Sequence, residues 1–252
     1  MLDRRRLIRP TGPAVAETGT INGLVFAQNP VVYDNNEFRL QTSWDETNSA
    51  GSKYGAVNGS TYFNFSEACS INIEGYRLPS STDIKNSIAD LYSRTGSEYI
   101  WDGGNVSNAR YVLVWCSFYL YGYYGTRGML FFPDGKTING PEMSAINKIN
   151  SSVLLTYEEL NSLIKQGCLF LPCVAYANYN YSGWNSFDPS GNVYGKQGYY
   201  WTSTDLGTNS NAAYVHVRVL GGWNKGIDTT YSSSDPNTDK IWCMPVILCR
   251  DA

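Results

Sequence analysis

Histidine and charge are both scarce in this chain of 252 residues. It has a single histidine, and Asp, Glu, Lys and Arg together make up 16% of the residues. One histidine, with no Cys-x-x-Cys spacing among the cysteines, argues against a zinc site. A formal net charge of −3 argues against nucleic acid as the main partner, because binding phosphates requires a basic surface. We therefore expect no cofactor, no metal and no nucleic-acid partner.

Long apolar runs are also missing. No stretch approaches the ~20 apolar residues needed to cross a membrane, so we expect no membrane insertion. The N-terminus is basic, with Arg4, Arg5, Arg6 and Arg9, but no apolar segment follows it, so it does not have the pattern of a signal peptide. Either the chain is not secreted by that route, or a signal has been removed.

The six cysteines do not suggest a disulfide framework. Most lie in apolar, strand-like contexts, where a free thiol behaves as a small hydrophobic group. Cys243 and Cys249 fall in what the pattern predicts to be one last strand, residues 241–250. Their spacing places them on one face of that strand but too far apart to bridge each other.

Aromatic residues, by contrast, are abundant. They make up 14% of the chain, with 20 tyrosines and 7 tryptophans. Combined with many Asn, Ser and Gly residues, this composition is typical of recognition surfaces. A β-rich core packed with tyrosines would explain it equally well, so composition alone leaves both interpretations open.

Residues 198–204, Gly-Tyr-Tyr-Trp-Thr-Ser-Thr, form the segment around which the chain is organised. Aromatic and β-branched residues in this order predict a half-buried strand. Alternation places Tyr199 and Trp201 on one face and Tyr200 and Thr202 on the other. We expect Trp201 to be a buried core anchor.

Short strands and three helices are predicted around this segment, which indicates an α+β protein. The helices are predicted over residues 61–72, 80–93 and 156–167, and the last two begin with the capping boxes Ser80/Asp83 and Thr156/Glu159. The predicted strands are residues 21–27, 31–33, 38–44, 111–119, 128–133, 168–176, 198–204, 212–220 and 241–250.

These elements suggest three parts of the chain. Residues 1–20 are predicted to be an arm or linker, residues 21–55 an N-terminal group of strands and a loop, and residues 56–252 the main domain. Residues 212–220 alternate between an apolar face and a polar face. The polar face of this strand carries Tyr214, His216 and Arg218.

Several short motifs occur along the chain in an order that suggests a family. They are residues 75–80 (Gly-Tyr-Arg-Leu-Pro-Ser), 167–172 (Gly-Cys-Leu-Phe-Leu-Pro), 198–204 and 249–251 (Cys-Arg-Asp). In this order they resemble the C-type-lectin-like domains called the Fibrobacter succinogenes major paralogous domain. They also resemble the variable proteins of diversity-generating retroelements of gut Bacteroidetes and phages, the major tropism determinant type. The resemblance covers the predicted main domain, residues 56–252.

The resemblance implies a C-type lectin-like fold, with a twisted antiparallel sheet, flanking helices and long loops. It also implies a ligand-binding face formed by C-terminal residues, some of them diversified through Asn codons. Trp201, Trp223 and Lys240 cannot arise from such codons and would be scaffold or fixed contacts. The candidate ligand-binding residues are Tyr179, Tyr181, Trp184, Asn185, Tyr214, His216, Arg218, Trp223, Asn224, Asp228, Tyr231, Ser233 and Asn237.

No catalytic arrangement stands out. His216 is the only histidine, and no Gly-x-Ser-x-Gly motif lies near it, so a ligand-contacting histidine is favoured over a catalytic one. The sequence Asp235-Pro236-Asn237 lacks the Trp-Asn-Asp that accompanies calcium in carbohydrate-binding C-type lectins, and a β-turn is favoured there. We expect the protein not to be an enzyme.

We expect instead a receptor-binding or adhesion protein. Its expected partner is a protein or glycan receptor on a bacterial surface, and its expected location is extracellular, at a cell surface or on a virion such as a phage tail. A homo-oligomer such as a trimer, or a place within a phage particle, fits this role. Two alternatives stay open: an oxidase like the formylglycine-generating enzymes, and a purely structural component of a phage tail or fimbria.

Overall fold

The computed structural model describes residues 16–46, 58–89, 111–120, 123–136, 138–140, 152–174, 197–207, 212–218, 226–230, 240 and 243–252. In these ranges short strands outnumber helices, which confirms the α+β class. The described strands form a four-stranded sheet, a three-stranded sheet and three two-stranded pairs. None of the helices in these ranges is long and apolar enough to span a membrane.

A β-ladder joins the two ends of the described chain. Strand β1 (Leu24–Phe26) pairs antiparallel with strand β13 (Cys249–Asp251). Just before β1, the carboxylate of Glu17 accepts hydrogen bonds from Nε and Nη2 of Arg250, at 2.8 and 2.7 Å. Glu17, which the sequence placed in the arm, is therefore held against the C-terminal strand.

The next two strands form a tight hairpin. Strand β2 (Val31–Asp34) pairs antiparallel with β3 (Glu37–Leu40) across Asn35 and Asn36. Both asparagines have positive φ, 52° and 65°, as a two-residue hairpin turn requires. Asparagine tolerates this left-handed conformation better than most residues. The hairpin ends at Leu40, so the strand predicted to extend to residue 44 is shorter in the structure.

An ion-pair network ties this hairpin to the segment that follows it. The guanidinium of Arg39 donates hydrogen bonds to Asp34 at 3.0 Å and to Glu46 at 2.8 Å. The backbone N–H of Thr42 also donates to Glu46. The hydrogen bond from Arg39 is the largest cause that lowers the pKa of Glu46 from 4.5 to about 2.

We expect this network to stabilise the fold only above acidic pH. Because the folded-state pKa of Glu46 lies below its unfolded value, its contribution is complete above pH 4.5 and is lost as the pH falls through about 2. The partly exposed Glu46→Gln variant should lose less than about 1 kcal/mol at pH 7. Urea unfolding of the wild type and the variant at pH 7 and at about pH 2 measures this difference in the free energy of unfolding, with Glu37→Gln as the control. An equal loss at the two pH values would contradict the prediction.

Each helix in the described chain begins with a capping box. The helices are α1 (Phe65–Ser70), α2 (Ser81–Ile84, continued by the π-helical turn Lys85–Ala89) and α3 (Tyr157–Lys165). The capping boxes predicted at Ser80 and Thr156 are confirmed. Helix α1 begins after the predicted residue 61, because Asn64 and Glu67 form the box that fixes its start.

The larger sheet contains four strands. They are β4 (Tyr111–Cys116), β7 (Arg127–Phe131), β8 (Ser152–Leu155) and β9 (Leu169–Pro172), in the order β8-β4-β7-β9. Strand β4 runs parallel to β8, and the other neighbours are antiparallel. Between β4 and β7 the chain forms a short ladder of β5 (Tyr119–Leu120) and β6 (Tyr123–Tyr124).

The smaller sheet contains the segment that the sequence singled out. Its strands are β10 (Gln197–Asp205), β11 (Ala212–Arg218) and β12 (Gly226–Thr230). All neighbours are antiparallel, and β11 lies in the middle. The predicted strand at residues 198–204 is therefore confirmed, and it pairs with the strand predicted to follow it.

Two clusters of buried side chains hold these sheets in place. The first, which we call the sheet cluster, lies around the four-stranded sheet and includes Phe26, Met129 and Phe131. The second, which we call the tryptophan cluster, includes Trp201 and Met244. Because Phe26 on β1 belongs to the sheet cluster, the N-terminal strands are part of the core.

The last predicted strand is wrong over most of its length. Of residues 243–250, only Cys249 and Arg250 belong to β13. Pro245 has no N–H to donate to a ladder, which interrupts the strand that the apolar pattern predicted. Cys243 and Cys249 therefore do not lie on one strand.

Candidate ligand-binding face

Trp201 lies at the centre of the scaffold of this region. Its side chain is fully buried, and the indole Nε1 donates a hydrogen bond to the backbone carbonyl of Phe63 at 2.7 Å. The ring of Phe65 packs edge-on against it, with the ring centroids 5.4 Å apart. Tyr199 is buried in the same cluster, so the prediction of a shared buried face for Tyr199 and Trp201 is confirmed.

The opposite face of β10 is buried as well. The hydroxyl of Tyr200 donates to the carbonyl oxygen of Pro172 at 2.6 Å. The hydroxyl of Thr202 donates to the carbonyl oxygen of Ala213 at 2.7 Å. Strand β10 was predicted to be half-buried, but it lies between the two clusters, with Tyr200 in the sheet cluster.

Two prolines border the edge of β10 that faces away from β11, and we call Pro79 and Pro245 the proline border. The backbone N–H groups of Trp201 and Ser203 donate to the carbonyls of Pro245 and Pro79, at 3.2 and 2.9 Å. A third proline, Pro172, accepts the hydroxyl of Tyr200 described above, on one face of the strand. A proline carbonyl accepts a hydrogen bond, but the residue has no N–H to return.

The motif of residues 75–80 contacts the C-terminal motif directly. Arg77 exchanges two backbone hydrogen bonds with Cys249, at 2.8 and 2.9 Å. Its guanidinium also forms ion pairs with Asp83 at 2.6 Å and with Asp251 at 2.9 Å. The start of α2 and the end of the described chain are thus held by one arginine.

The same motif region also contacts β10. The backbone N–H of Ser81 donates to the hydroxyl of Thr204 at 2.9 Å. At the other end of β10, a Cβ on Gly198 would lie 2.8 Å from the carbonyl oxygen of Pro172, so the backbones approach too closely for a side chain. The four motifs quoted for the family resemblance therefore form one connected scaffold around β10.

Tyr214 is the one candidate ligand residue whose side chain the structure describes, and the prediction that it lies on an exposed polar face is wrong. It is only 5% exposed, and its ring centroid lies 5.7 Å from that of Tyr199. Ala213 and Val215 are also buried, so β11 is covered on both faces here. The phenol ring fills space in the tryptophan cluster, a use of tyrosine that alternation cannot distinguish from surface exposure.

The strand register brings two further candidates together. His216 on β11 is the Cα partner of Asp228 on β12. On the other side it is the partner of Tyr199 on β10. A candidate histidine and a candidate aspartate are therefore neighbours across a ladder, although they are twelve residues apart in the chain.

One end of the three-stranded sheet collects the attachment points of two candidate segments. Gln197, Arg218 and Gly226 are neighbours in the register, and we call them the open end. Residues 175–196 precede Gln197 in the chain, and residues 219–225 connect Arg218 to Gly226. Both segments are therefore attached at this end.

Residues 231–239 are attached at the opposite end of the sheet. They follow Thr230, whose Cα partner is Tyr214. They precede Lys240, whose ammonium pairs with both carboxylate oxygens of Asp205 at 2.8 and 2.9 Å. The hydrogen bond from Lys240 is also the main cause that lowers the pKa of Asp205. Lys240 thus holds the end of residues 231–239 next to the end of β10.

The remaining candidate residues lie outside the described ranges. They are Tyr179, Tyr181, Trp184, Asn185, Trp223, Asn224, Tyr231, Ser233 and Asn237.

Burial makes most of the cysteine thiols poor nucleophiles. Cys69 is exposed, whereas the other five cysteines are buried. Burial raises the pKa of Cys116, Cys168 and Cys249 to about 12. Because the thiolate is the reactive form, these groups are both inaccessible and protonated at neutral pH.

We expect iodoacetamide to label the native protein at Cys69 alone. Iodoacetamide reaches only exposed thiols of the native protein, and Cys69 is the exposed cysteine. Mass spectrometry should find one adduct per chain before unfolding and six after unfolding in urea. The Cys69→Ser variant should take up none in its native state. Native labelling of Cys243 or Cys249 would contradict this and favour the oxidase alternative.

Among the residues that the structure describes, no group of three or more His, Cys, Asp or Glu side chains is arranged to hold a metal ion. No family model, curated protein or solved structure matches the chain.

Proposed function

We propose that this chain is a non-enzymatic binding protein with a C-type lectin-like fold, similar to the variable proteins of diversity-generating retroelements. Two features support the proposed fold. The N-terminal strand β1 pairs with the C-terminal strand β13. Helices α1 and α2 both lie against β10, around which the motifs of the resemblance contact one another.

The observation that carries the proposed function is the contrast between the two parts of the three-stranded sheet. Residues 199–202 of β10 and 212–215 of β11 are buried on both faces and held by hydrogen bonds. The open end, in contrast, carries the candidate position Arg218 and two attachment points. One is that of residues 175–196, which are rich in aromatic and polar residues, and the other is that of residues 219–225, which contain Trp223 and Asn224. Binding residues are commonly placed on loops that a rigid scaffold positions.

The residue types at this end suit the recognition of a receptor. Tyrosine and tryptophan provide contact area at a small entropic cost, and Asn and Ser provide adaptable hydrogen bonds. His216, Arg218 and Asp228 add polar groups of both signs on adjacent strands. We propose that the partner is a protein or glycan on a bacterial surface, bound from a cell surface or a virion.

The strand connections separate two of the candidate aromatic residues. Trp223 lies in the segment attached at the open end, whereas Tyr231 directly follows Thr230 at the opposite end. The proposed face is therefore centred on the open end, and Tyr231 tests how far it extends.

Binding of the labelled protein to an array of bacterial glycans and to intact bacterial cells tests this proposal. Trp223→Ala should weaken the strongest interaction by ~2 kcal/mol, about 30-fold. Its free energy of unfolding should change by less than about 1 kcal/mol, because a side chain that serves binding contributes little to the core. A similar loss of binding in Tyr231→Ala would show that the face spans both ends of the sheet.

Tyr33→Ala serves as the control, because it removes an aromatic side chain from the N-terminal hairpin. It should lower stability and leave binding unchanged. Binding that survives Trp223→Ala at full strength would overturn the placement of the face. No binding to any glycan or cell, together with self-assembly into long particles, would favour the structural alternative.

A further inference from the structure

One face of the four-stranded sheet carries a row of three side chains that reach the surface. In the strand register Trp115 on β4 is the Cα partner of Arg127 on β7 and of Leu154 on β8. Cα partners on neighbouring strands lie on the same face of a sheet. Trp115 and Leu154 have 42 and 51% of their surface exposed, and Arg127 is partly buried. We call these three residues the exposed row.

The aromatic ring at the centre of this row is fixed by its neighbours. A Cβ on Gly125 would lie 2.6 Å from the indole nitrogen of Trp115, so the backbone passes close to the indole. The guanidinium of Arg127 lies over the same ring, 4.6 Å from its centroid. An aromatic side chain fixed in this way loses little conformational entropy when a ligand binds. The exposed part of the Trp115 ring is therefore suited to binding.

The cation of the row has no carboxylate partner in the described chain. None of the ion pairs between described residues involves Arg127. Burial lowers the pKa of Arg127 from its usual value, and no carboxylate of the described chain opposes this effect. Charges that are withdrawn from water are commonly paired. A guanidinium stacked on an aromatic ring keeps its N–H groups in the plane, where they can donate to a carboxylate of a ligand.

The exposed row lies at the same end of the strands as the open end of the three-stranded sheet. The backbone N–H of Cys173, just after β9, donates to the carbonyl oxygen of Arg127 at 2.6 Å. The carbonyl oxygen of the next residue, Val174, accepts from the N–H of Tyr199 near the start of β10, at 3.3 Å. Residues 175–196 connect Val174 to the open end. The row is therefore a neighbour of the proposed ligand-binding face.

The size of the row favours a sugar over a protein surface as its ligand. Three side chains on adjacent strands span about 10 Å, because neighbouring strands lie ~4.8 Å apart. A stable protein interface buries about 800 Å² on each partner, which is far more than three side chains provide. A single sugar ring, in contrast, can place its apolar C–H face on an aromatic ring while its hydroxyl groups stay in water. The unpaired cation beside the ring adds a preference for a negative charge on that sugar.

We propose that the exposed row is a subsite for a saccharide that carries a carboxylate, at the border of the proposed ligand-binding face. The guanidinium of Arg127 binds the carboxylate, and the apolar face of the sugar ring packs against Trp115 and Leu154. None of these three residues was a candidate from the sequence. The inference rests on the proposed function and adds to it the chemical class and the charge of the ligand.

A glycan array tests this inference when it carries saccharides of hexuronic and sialic acids, each beside the same saccharide with its carboxyl groups reduced to alcohols. The wild type should bind the acidic member of a pair at least ~10-fold more tightly, because only that member forms the charge-assisted hydrogen bonds. Arg127→Gln should bind both members equally, and as tightly as the wild type binds the reduced one. Lys165→Gln removes an exposed cation from α3 and should keep the wild-type preference.

Two further variants keep the test independent of how well Arg127→Gln folds. Leu154 is half-exposed, so Leu154→Asp should leave the thermal melt nearly unchanged. Its new negative charge should weaken binding of the acidic member at least ~10-fold and binding of the reduced member less, because like charges then meet. Trp115→Ala should weaken binding of both members at least ~10-fold, because it removes the ring on which either sugar packs.

The possible results separate this inference from the proposed function. It would be overturned if no acidic saccharide binds, if the wild type binds both members equally, or if the preference survives in Arg127→Gln and Leu154→Asp. Any of these results, together with binding to bacterial cells that is lost in Trp223→Ala, would leave the proposed function standing. Tighter binding of a polyglutamate peptide than of every acidic saccharide would overturn the choice of a saccharide.

Discussion

Replacing Trp201 with alanine should lower the free energy of unfolding by ~3–5 kcal/mol. The side chain is fully buried, so its removal leaves a cavity in the tryptophan cluster. It also leaves the carbonyl oxygen of Phe63 without the hydrogen bond that the indole donates at 2.7 Å. Guanidinium chloride unfolding monitored by far-ultraviolet circular dichroism measures the change. In a thermal melt followed by the same signal, a melting temperature that shifts by no more than about 1–2 °C would contradict a core role for this residue.

The matched variant Trp201→Phe separates packing from hydrogen bonding. Phenylalanine keeps most of the apolar contact with Phe65 but has no N–H to donate. We expect it to lose less stability than Trp201→Ala and still about 0.5–1.5 kcal/mol, because the carbonyl oxygen of Phe63 loses the hydrogen bond from the indole and keeps only the one from the backbone N–H of Met244. Equal losses in the two variants would mean that ring volume contributes little.

Replacing Phe26 with alanine should have an effect of the same size, ~3–5 kcal/mol. Phe26 lies on β1 and is fully buried in the sheet cluster. The same change at Phe38, a partly buried residue of the β2–β3 hairpin, should lose less stability. The measurement is the same guanidinium chloride unfolding.

The Phe26 experiment decides whether the N-terminal strands are part of the main domain. If these strands are part of the main domain, Phe26→Ala and Phe38→Ala should each unfold in a single transition at a lower denaturant concentration than the wild type. A Phe26→Ala protein with wild-type stability, or a separate early transition for the N-terminal segment, would show that residues 21–55 fold apart from the rest.

Local signals in the sequence account for the starts of two helices and for one turn. Ser80 and Thr156 each begin a helix because a hydroxyl and an acidic residue three positions later satisfy the first N–H groups. Asn35 and Asn36 form the hairpin turn because asparagine accepts positive φ. These features depend on neighbouring residues only, so a single sequence is enough to find them.

Features that depend on distant residues were not predictable in the same way. The pairing of β1 with β13 joins segments more than two hundred residues apart, and neither segment carries a local sign of its partner. Tyr214 alternates with apolar residues just as an exposed tyrosine would, and it is buried because Tyr199 and the rest of the tryptophan cluster cover it. Alternation identifies the two faces of a strand but not whether a second face is covered.

Most of the candidate ligand-binding residues came from the resemblance and from composition, whereas Tyr214, His216 and Arg218 came from the alternation of their strand. The strand register supplies spatial neighbours that the sequence alone does not contain. It makes His216 a neighbour of Asp228, and it separates the attachment points of the segments that carry Trp223 and Tyr231. The exposure of Trp115 was missed for the opposite reason. Trp115 lies in an apolar run that predicts an ordinary core strand, and only the packing of the sheet shows that this side chain is exposed.

The proline border has a consequence for aggregation. Fibrils grow when a strand of one molecule adds to a bare strand edge of another and finds free N–H and carbonyl groups there. On the outer edge of β10, the N–H groups of Trp201 and Ser203 already donate to proline carbonyls of the same chain. On this side, the strand with three consecutive aromatic residues therefore has two fewer N–H groups to offer a growing fibril. Under the proposed function, segments attached to such a strand could change in sequence from one variant to the next while this edge of their scaffold stays protected.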